Sequence, residues 1–236
     1  MIQIKNVSKS YDGKKLAIDS INLTIERGDI YGFIGHNGAG KTTLLKCISG
    51  IINFDQGEIV VNGHSIKADP IAVKRLLAYI PDNPDIYDSI KGSQYLDFIS
   101  DVFEVSLEKR TQLIRKYADM FELTPALNNL IGSYSHGMKQ KLVLISALIH
   151  EPQVMLLDEP FVGLDPKASF LLKESFKELC AKGTAIFFST HVLEVVEKLC
   201  NKVAIIKQGK LIRSGDTQEI IKDQSLETYF LELVSE

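Results

Sequence analysis

Gly35-His36-Asn37-Gly38-Ala39-Gly40-Lys41-Thr42-Thr43 puts three glycines, a lysine and two adjacent hydroxyls into nine residues. Glycines let a backbone curl until successive N–H groups point inward at an anion. In this pattern Lys41 brings positive charge to the β- and γ-phosphates of a nucleotide, and the Thr42 hydroxyl can ligate Mg²⁺. His36 sits at a variable position of the pattern and receives no catalytic task. A second group of interest is Val154-Met155-Leu156-Leu157-Asp158-Glu159-Pro160, an apolar run that ends in two carboxylates. In a parallel α/β sheet, ligands gather at the carboxyl ends of strands. Asp158 is therefore expected beside the glycine loop, holding Mg²⁺ directly or through water. Glu159, one residue on, is placed to orient or deprotonate an attacking water.

These groups need rigid elements to hold them. Ile30–Ile34 reads as a short apolar strand entering the glycine loop, and a helix follows from Lys41 to about Ser49. Before it, Ile2, Ile4 and Val7 suggest one strand. The run from Ala17 to Ile25, with Ile18, Ile21, Leu23 and Ile25, suggests another, with Asp12-Gly13 as the turn between them. A strand near Glu58–Asn62 ends at Asn62-Gly63, a hairpin signal. From about Tyr87 to His150 the periodicity is helical: Tyr95, Phe98, Ile99 and Val102 share one face, and Leu113, Ile114, Tyr117 and Phe121 another. Leu142, Ile145, Ala147 and Leu148 form a third such stretch. After Pro152 strands and helices alternate: Val154–Leu157, a helix from Pro166 to Ala181, Thr184–Ser189, a helix through Leu199, then Val203–Lys207. Leu211–Ser214 and two short helices close the chain. Such alternation argues for a parallel sheet covered by helices. Residues 1–86 and 151–236 then form an α/β core, with 87–150 a helical block inserted into it.

Composition narrows the partners. A formal net charge of -3 gives no electrostatic case for nucleic acid, which asks for a strongly basic face. Cys47, Cys180 and Cys200 lie far apart without metal-ligand spacing, so buried thiols in a reducing compartment are expected. The start, Met1 to Val7, lacks the apolar core of a signal peptide. The longest apolar stretch, Leu142 to Ile149, is far short of the roughly 20 residues that span a bilayer. Any membrane role therefore needs another chain to cross the membrane. His64 and His150 read as surface residues.

Taken in order, the loop Gly35–Thr43, the segment Ser135-His136-Gly137-Met138-Lys139-Gln140, the acidic pair Asp158-Glu159, Gly163-Leu164-Asp165 and His191 resemble the ATP-binding cassette family over essentially the whole chain. The resemblance implies an α/β fold: a P-loop NTPase core with a parallel sheet, an N-terminal antiparallel β subdomain and an inserted α-helical subdomain. It also implies ATP and Mg²⁺ as ligands, with Tyr11 stacking on adenine and His191 as the switch histidine. Ser135 and Gly137 belong to the signature segment that closes on the γ-phosphate, and Gly163-Leu164-Asp165 to the loop that touches a partner subunit. The signature departs from the commonest Leu-Ser-Gly-Gly-Gln, with Tyr134, His136 and Met138 as replacements. Ser135 still offers a helix N-cap and Gly137 is kept. In this form it resembles the branch serving ABC-2-type exporters. Asp82, after Tyr79-Ile80-Pro81, occupies the position where the family usually keeps Gln; it can reach Mg²⁺ directly or through water, or serve only a Pro-rich turn.

By the same resemblance, the chain works as a dimer of nucleotide-binding subunits, identical or closely similar, with a separately encoded polytopic membrane permease. It would lie in the cytoplasm, peripheral on the inner face of the cell membrane. A soluble relative serving a non-transport task, such as iron–sulfur assembly, shares the fold and chemistry and stays open. A DNA-repair or ribosome-associated cassette fits less well, because there is one phosphate loop and no long heptad insertion.

Overall fold

The computed structural model describes residues 1–222 and 224–235, so the expected outer bound of the core at 236 lies outside the described residues. In chain order the elements are β1 (Ile2–Ser10), β2 (Leu16–Ile25), β3 (Ile30–Ile34), α1 (Lys41–Ile48), β4 (Gln56–Val61), β5 (His64–Ser65), α2 (Pro70–Leu76) and β6 (Leu77–Ile80). Then come α3 (Gly92–Val102), α4 (Leu107–Met120), α5 (His136–Ile149), β7 (Val154–Asp158), α6 (Pro166–Ala181), β8 (Ala185–Thr190) and α7 (Leu193–Leu199). The last are β9 (Lys202–Lys207), β10 (Lys210–Asp216), α8 (Thr217–Ile221) and α9 (Leu226–Ser235). They form two compact units, Met1–Tyr79 with Gln153–Pro160 and Phe176–Glu236, and Ile80–Pro152 with Phe161–Ser175.

The first unit holds two sheets. One is antiparallel in the order β2-β1-β4-β5; the other runs β10-β9-β3-β8-β7-β6, with β3, β7, β8 and β9 parallel and β10 antiparallel to β9. The apolar spacing of β2 explains its shape. Ile18 and Ile21 are three apart, which would put them on opposite faces of a regular strand. A bulge with Ser20 at φ 51 resets the alternation, and Ile18, Ile21, Leu23 and Ile25 all point inward. Ser8 Oγ accepts the Ser20 N–H at 2.8 Å, so the bulge leaves that donor satisfied. Strands β3, β7 and β8 are buried at every residue, as expected of parallel strands covered on both faces. At their centre the Phe187 ring packs edge-on to Tyr31 at 5.9 Å and tilted against Phe33 at 5.2 Å. The three cysteines are free thiols inside the protein, as expected.

Helix α2 and strand β6 have no counterpart in the sequence reading. Asp69 caps α2 by accepting the Ala72 N–H at 3.3 Å, with Pro70 in the first turn. The edge strand β6 carries the chain to Ile80 and out of the first unit.

The second unit is helical. α5 is buried from Leu142 to Ile149, whereas α3 is amphipathic on a different face from the one expected. Tyr95, Leu96 and Ser100 are buried, while Phe98 and Val102 stand half exposed. Ser100 avoids an orphaned hydroxyl by donating to the Leu96 carbonyl at 2.7 Å. His150 also departs from its expected surface place. Its ring stacks on Phe103 at 3.8 Å, and burial pushes the imidazole down to about 4. His64 is exposed beside Asp69, as expected. Among the described residues no helix is long and apolar enough to cross a membrane.

Candidate active site

The glycine loop joins β3 to α1 in the first unit. Gly40 is the N-cap of α1, at φ 111, and a Cβ there would lie 2.4 Å from the Ala17 carbonyl oxygen. Both facts restrict the position to glycine. With no side-chain cap, the first-turn N–H groups of α1 stay available to an anion. Thr42 is exposed at that end, and Thr43 shares a 3.2 Å hydrogen bond with the Tyr11 hydroxyl. Lys41 folds back instead of reaching outward: Nζ donates to the carbonyls of Gly35 at 2.7 Å and His36 at 3.3 Å. Burial lowers its pKa, and the nearby carboxylates of Glu159 and Asp158 oppose that shift.

Asp158 ends β7 and is almost fully buried. Ser189, its register neighbour on β8, donates to Asp158 Oδ1 through Oγ. Glu159 follows with a left-handed backbone, φ 49, which swings its side chain off the strand line. Its N–H is held by the Ser189 carbonyl at 3.0 Å. Glu159 Oε1 lies 3.0 Å from His191 Nδ1, whereas Oε2 is buried without a hydrogen-bond partner among the described residues. Leaving a buried carboxylate oxygen without a partner is costly, and native proteins bear that cost chiefly where the group has a catalytic or binding task. The turn that presents His191 is closed by Thr190, whose hydroxyl accepts the Val192 N–H at 3.1 Å.

A cavity of about 940 Å³ opens beside the loop, lined by Tyr11, Asp12, Leu16, Asn37, Lys207 and Gln208 among others. Tyr11 presents an exposed ring there. His36 leans against Phe230 of α9, with ring centroids 5.2 Å apart. One unit thus gathers Tyr11, Gly35–Thr43, Asp158, Glu159 and His191.

Ser135, Gly137 and Asp82 belong to the second unit. Ser135 caps α5, its hydroxyl accepting the Met138 N–H at 3.3 Å. Asp82 is exposed in the segment that follows β6. The structure adds a link that the motifs did not announce: a Cβ at Gly137 would sit 2.6 Å from the Gly163 carbonyl, and Lys141 pairs with Asp165 at 2.6 Å. The signature segment and the Gly163–Asp165 loop are therefore packed backbone to backbone. Asp165 also caps α6 by accepting the Ala168 N–H at 2.8 Å. Gly137→Ala is expected to cost about 1–3 kcal/mol, read as a lower urea midpoint, because the opposing atom is backbone and cannot rotate away. An unchanged midpoint would mean that the two segments separate without strain.

Among the described residues no three His, Cys, Asp or Glu side chains cluster as a metal cage. The carboxylate of Asp158 and the hydroxyl of Thr42 instead suit a hard cation that keeps water and phosphate oxygens in its shell. In the sequence Ser189 reads as a polar strand boundary, and its only signal is its place two residues before His191.

Similarity to known proteins agrees with this geometry. A family profile described as ABC transporter matches residues 18–162. The uncharacterized ABC transporter ATP-binding protein YhcH of Bacillus subtilis (strain 168) is 33% identical over 99% of this chain and 75% of its own length. The linearmycin resistance ATP-binding protein LnrL of the same organism is 30% identical over 93% of this chain and 70% of its own length. A solved structure described as the ATP binding subunit of an ABC transporter superposes with a TM-score of 0.95 at 30% identity, covering 99% of each chain. Motif order, fold and relatives all lead to one assignment: the chain belongs to the ABC transporter family.

Proposed function

We propose that this chain is the ATP-hydrolysing subunit of an exporter, working as a dimer of nucleotide-binding subunits at the cytoplasmic face of a separately encoded polytopic permease. The observation that carries the reading is Glu159, held through one oxygen by His191 while the other is buried and unpartnered beside the glycine loop and Lys41. A general base needs that arrangement: one oxygen fixed, the other free to take a proton from water.

In this reading Tyr11 stacks on the adenine, and the amides of Gly35–Thr43 cradle the phosphates. Lys41 exchanges the carbonyls of Gly35 and His36 for phosphate oxygens. Thr42 and Asp158, with Asp82 as a further candidate, would hold Mg²⁺, which when bound neutralises charge on the β- and γ-phosphate oxygens. Glu159 Oε2 accepts the proton of the attacking water, and His191 keeps the carboxylate turned toward it. The Ser135–Met138 segment of a second copy supplies helix N-terminal amides to the γ-phosphate. Loss of that phosphate on hydrolysis removes the bridge, and the dimer relaxes. The helical block, proposed as 87–150 with Asp82 at its hinge, passes the movement to the permease. Export, as opposed to import, is supported by the Tyr134–Met138 form of the signature and by the resistance function named for LnrL.

The test pairs two measurements on the tagged chain. Mg²⁺-dependent phosphate release and co-purification of a polytopic membrane protein from detergent extracts are the expected results. Phosphate release with only soluble scaffold proteins captured would favour the non-transport alternative, and no phosphate release even with the captured partner would refute the motor reading.

A further inference from the structure

Ser189 stands out as a buried polar residue where packing alone would place an apolar one. Strand β8 reads Ala185-Ile186-Phe187-Phe188 before it, all without solvent exposure, and Ser189 itself is 0% exposed. A hydroxyl in such a place is destabilising unless its hydrogen bonds are made. Among the described residues they are made to the catalytic candidates alone. Oγ donates to Asp158 Oδ1, the Glu159 N–H lies 3.4 Å from the same Oγ, and the Ser189 carbonyl takes that N–H at 3.0 Å. Among the described residues Ser189 is the only side chain hydrogen-bonded to Asp158. A hydrogen bond to a carboxylate is charge-assisted and directional, so it fixes one rotamer of the Asp158 carboxyl. With Oδ1 engaged by the hydroxyl, Oδ2 keeps its lone pairs for a ligand.

We propose that Ser189 is a positioning residue for the metal–nucleotide complex: it orients Asp158 as a ligand for the divalent cation and, through the same residue's backbone, anchors Glu159 in its left-handed turn. The proposal rests on the reading of Asp158 as metal-binding. Partners that hold a ligating carboxylate in place typically change metal affinity by about 10- to 100-fold when removed. Ser189→Ala removes one oxygen and leaves the strand backbone and its bond to Glu159 intact, so it isolates the hydroxyl.

The experiment measures Mn²⁺ binding by electron paramagnetic resonance at saturating ADP, alongside ADP affinity in EDTA by calorimetry. Ser189→Ala is expected to bind metal-free ADP within about twofold of the parent and to bind Mn²⁺ roughly tenfold more weakly. In turnover, the Mg²⁺ concentration for half-maximal rate should rise more than kcat falls. Unchanged Mn²⁺ affinity would overturn the proposal. An equal loss of metal-free ADP binding would also overturn it, since it would assign Ser189 to packing of the sheet. Failure of the parent chain itself to bind Mn²⁺ with ADP would refute the metal-site reading, a result separable from either of these.

Discussion

Glu159→Gln is expected to bind ATP as the parent chain does, to lose about 10²- to 10⁴-fold in turnover, and to accumulate as an ATP-bound dimer visible by light scattering. The size of the effect follows from the site. Glutamine matches glutamate in volume and can still meet His191 Nδ1, now 3.0 Å from Oε1, so the backbone turn and the histidine contact survive. What disappears is basicity at Oε2, the buried oxygen without a hydrogen-bond partner among the described residues. A loss of about 10³-fold corresponds to roughly 4 kcal/mol of barrier, which is large for a change of one atom in a side chain that is 13% exposed. Binding is expected to be spared because the groups proposed to hold the phosphates, Lys41 and the amides at the start of α1, are untouched. With hydrolysis blocked, ATP bridging two copies is not consumed, and the dimer persists. Full turnover in this variant would remove Glu159 from the reaction and return the role of base to water or to His191.

How much of this could be read from residues alone depends on how local the signal is. The glycine loop is contiguous, and its flanking strand and helix appear where the residues predict them, Ile30–Ile34 and Lys41–Ile48. Asp158 and His191 were legible because parallel strands collect their carboxyl ends at one edge, so a motif at each strand end suffices. Other features depend on packing that the sequence does not encode locally. In α3, Tyr95, Leu96, Phe98, Ile99 and Val102 make the helix apolar on more than one side, so periodicity offered two faces and the packing took the one with Leu96. Strand β6 has four residues and helix α2 seven, too few for a period to emerge, although Asp69-Pro70 was a usable start signal. His150 gives no hint of burial because its environment is a ring, Phe103, from another helix turn far away in sequence. Ser189 needed the register of β7 on β8 before its hydroxyl could be connected to Asp158.

The second large effect concerns affinity. Lys41→Ala is expected to weaken ATP binding by about 2–5 kcal/mol, roughly 30-fold to several thousandfold in Kd by calorimetry. Nearly all of Lys41 is buried, and its ammonium is held by two loop carbonyls, Gly35 at 2.7 Å and His36 at 3.3 Å. Those bonds are ones it can trade for phosphate oxygens at little net loss of hydrogen bonding, so the charge is delivered already desolvated. Removing it takes away the cation whose charge the carboxylates of Glu159 and Asp158 feel, the two groups that oppose the lowering of the lysine pKa. A polyanion would then meet two negative groups without the neighbouring positive one, and metal alone would have to offset the repulsion. Fold stability should move far less than affinity, because the loop carbonyls at Gly35 and His36 can turn to water once the side chain is gone. The contrast is the diagnostic: a variant that melts with the parent yet binds ATP poorly places the loss in the pocket, whereas unchanged ATP affinity would show that the glycine loop does not hold the phosphates.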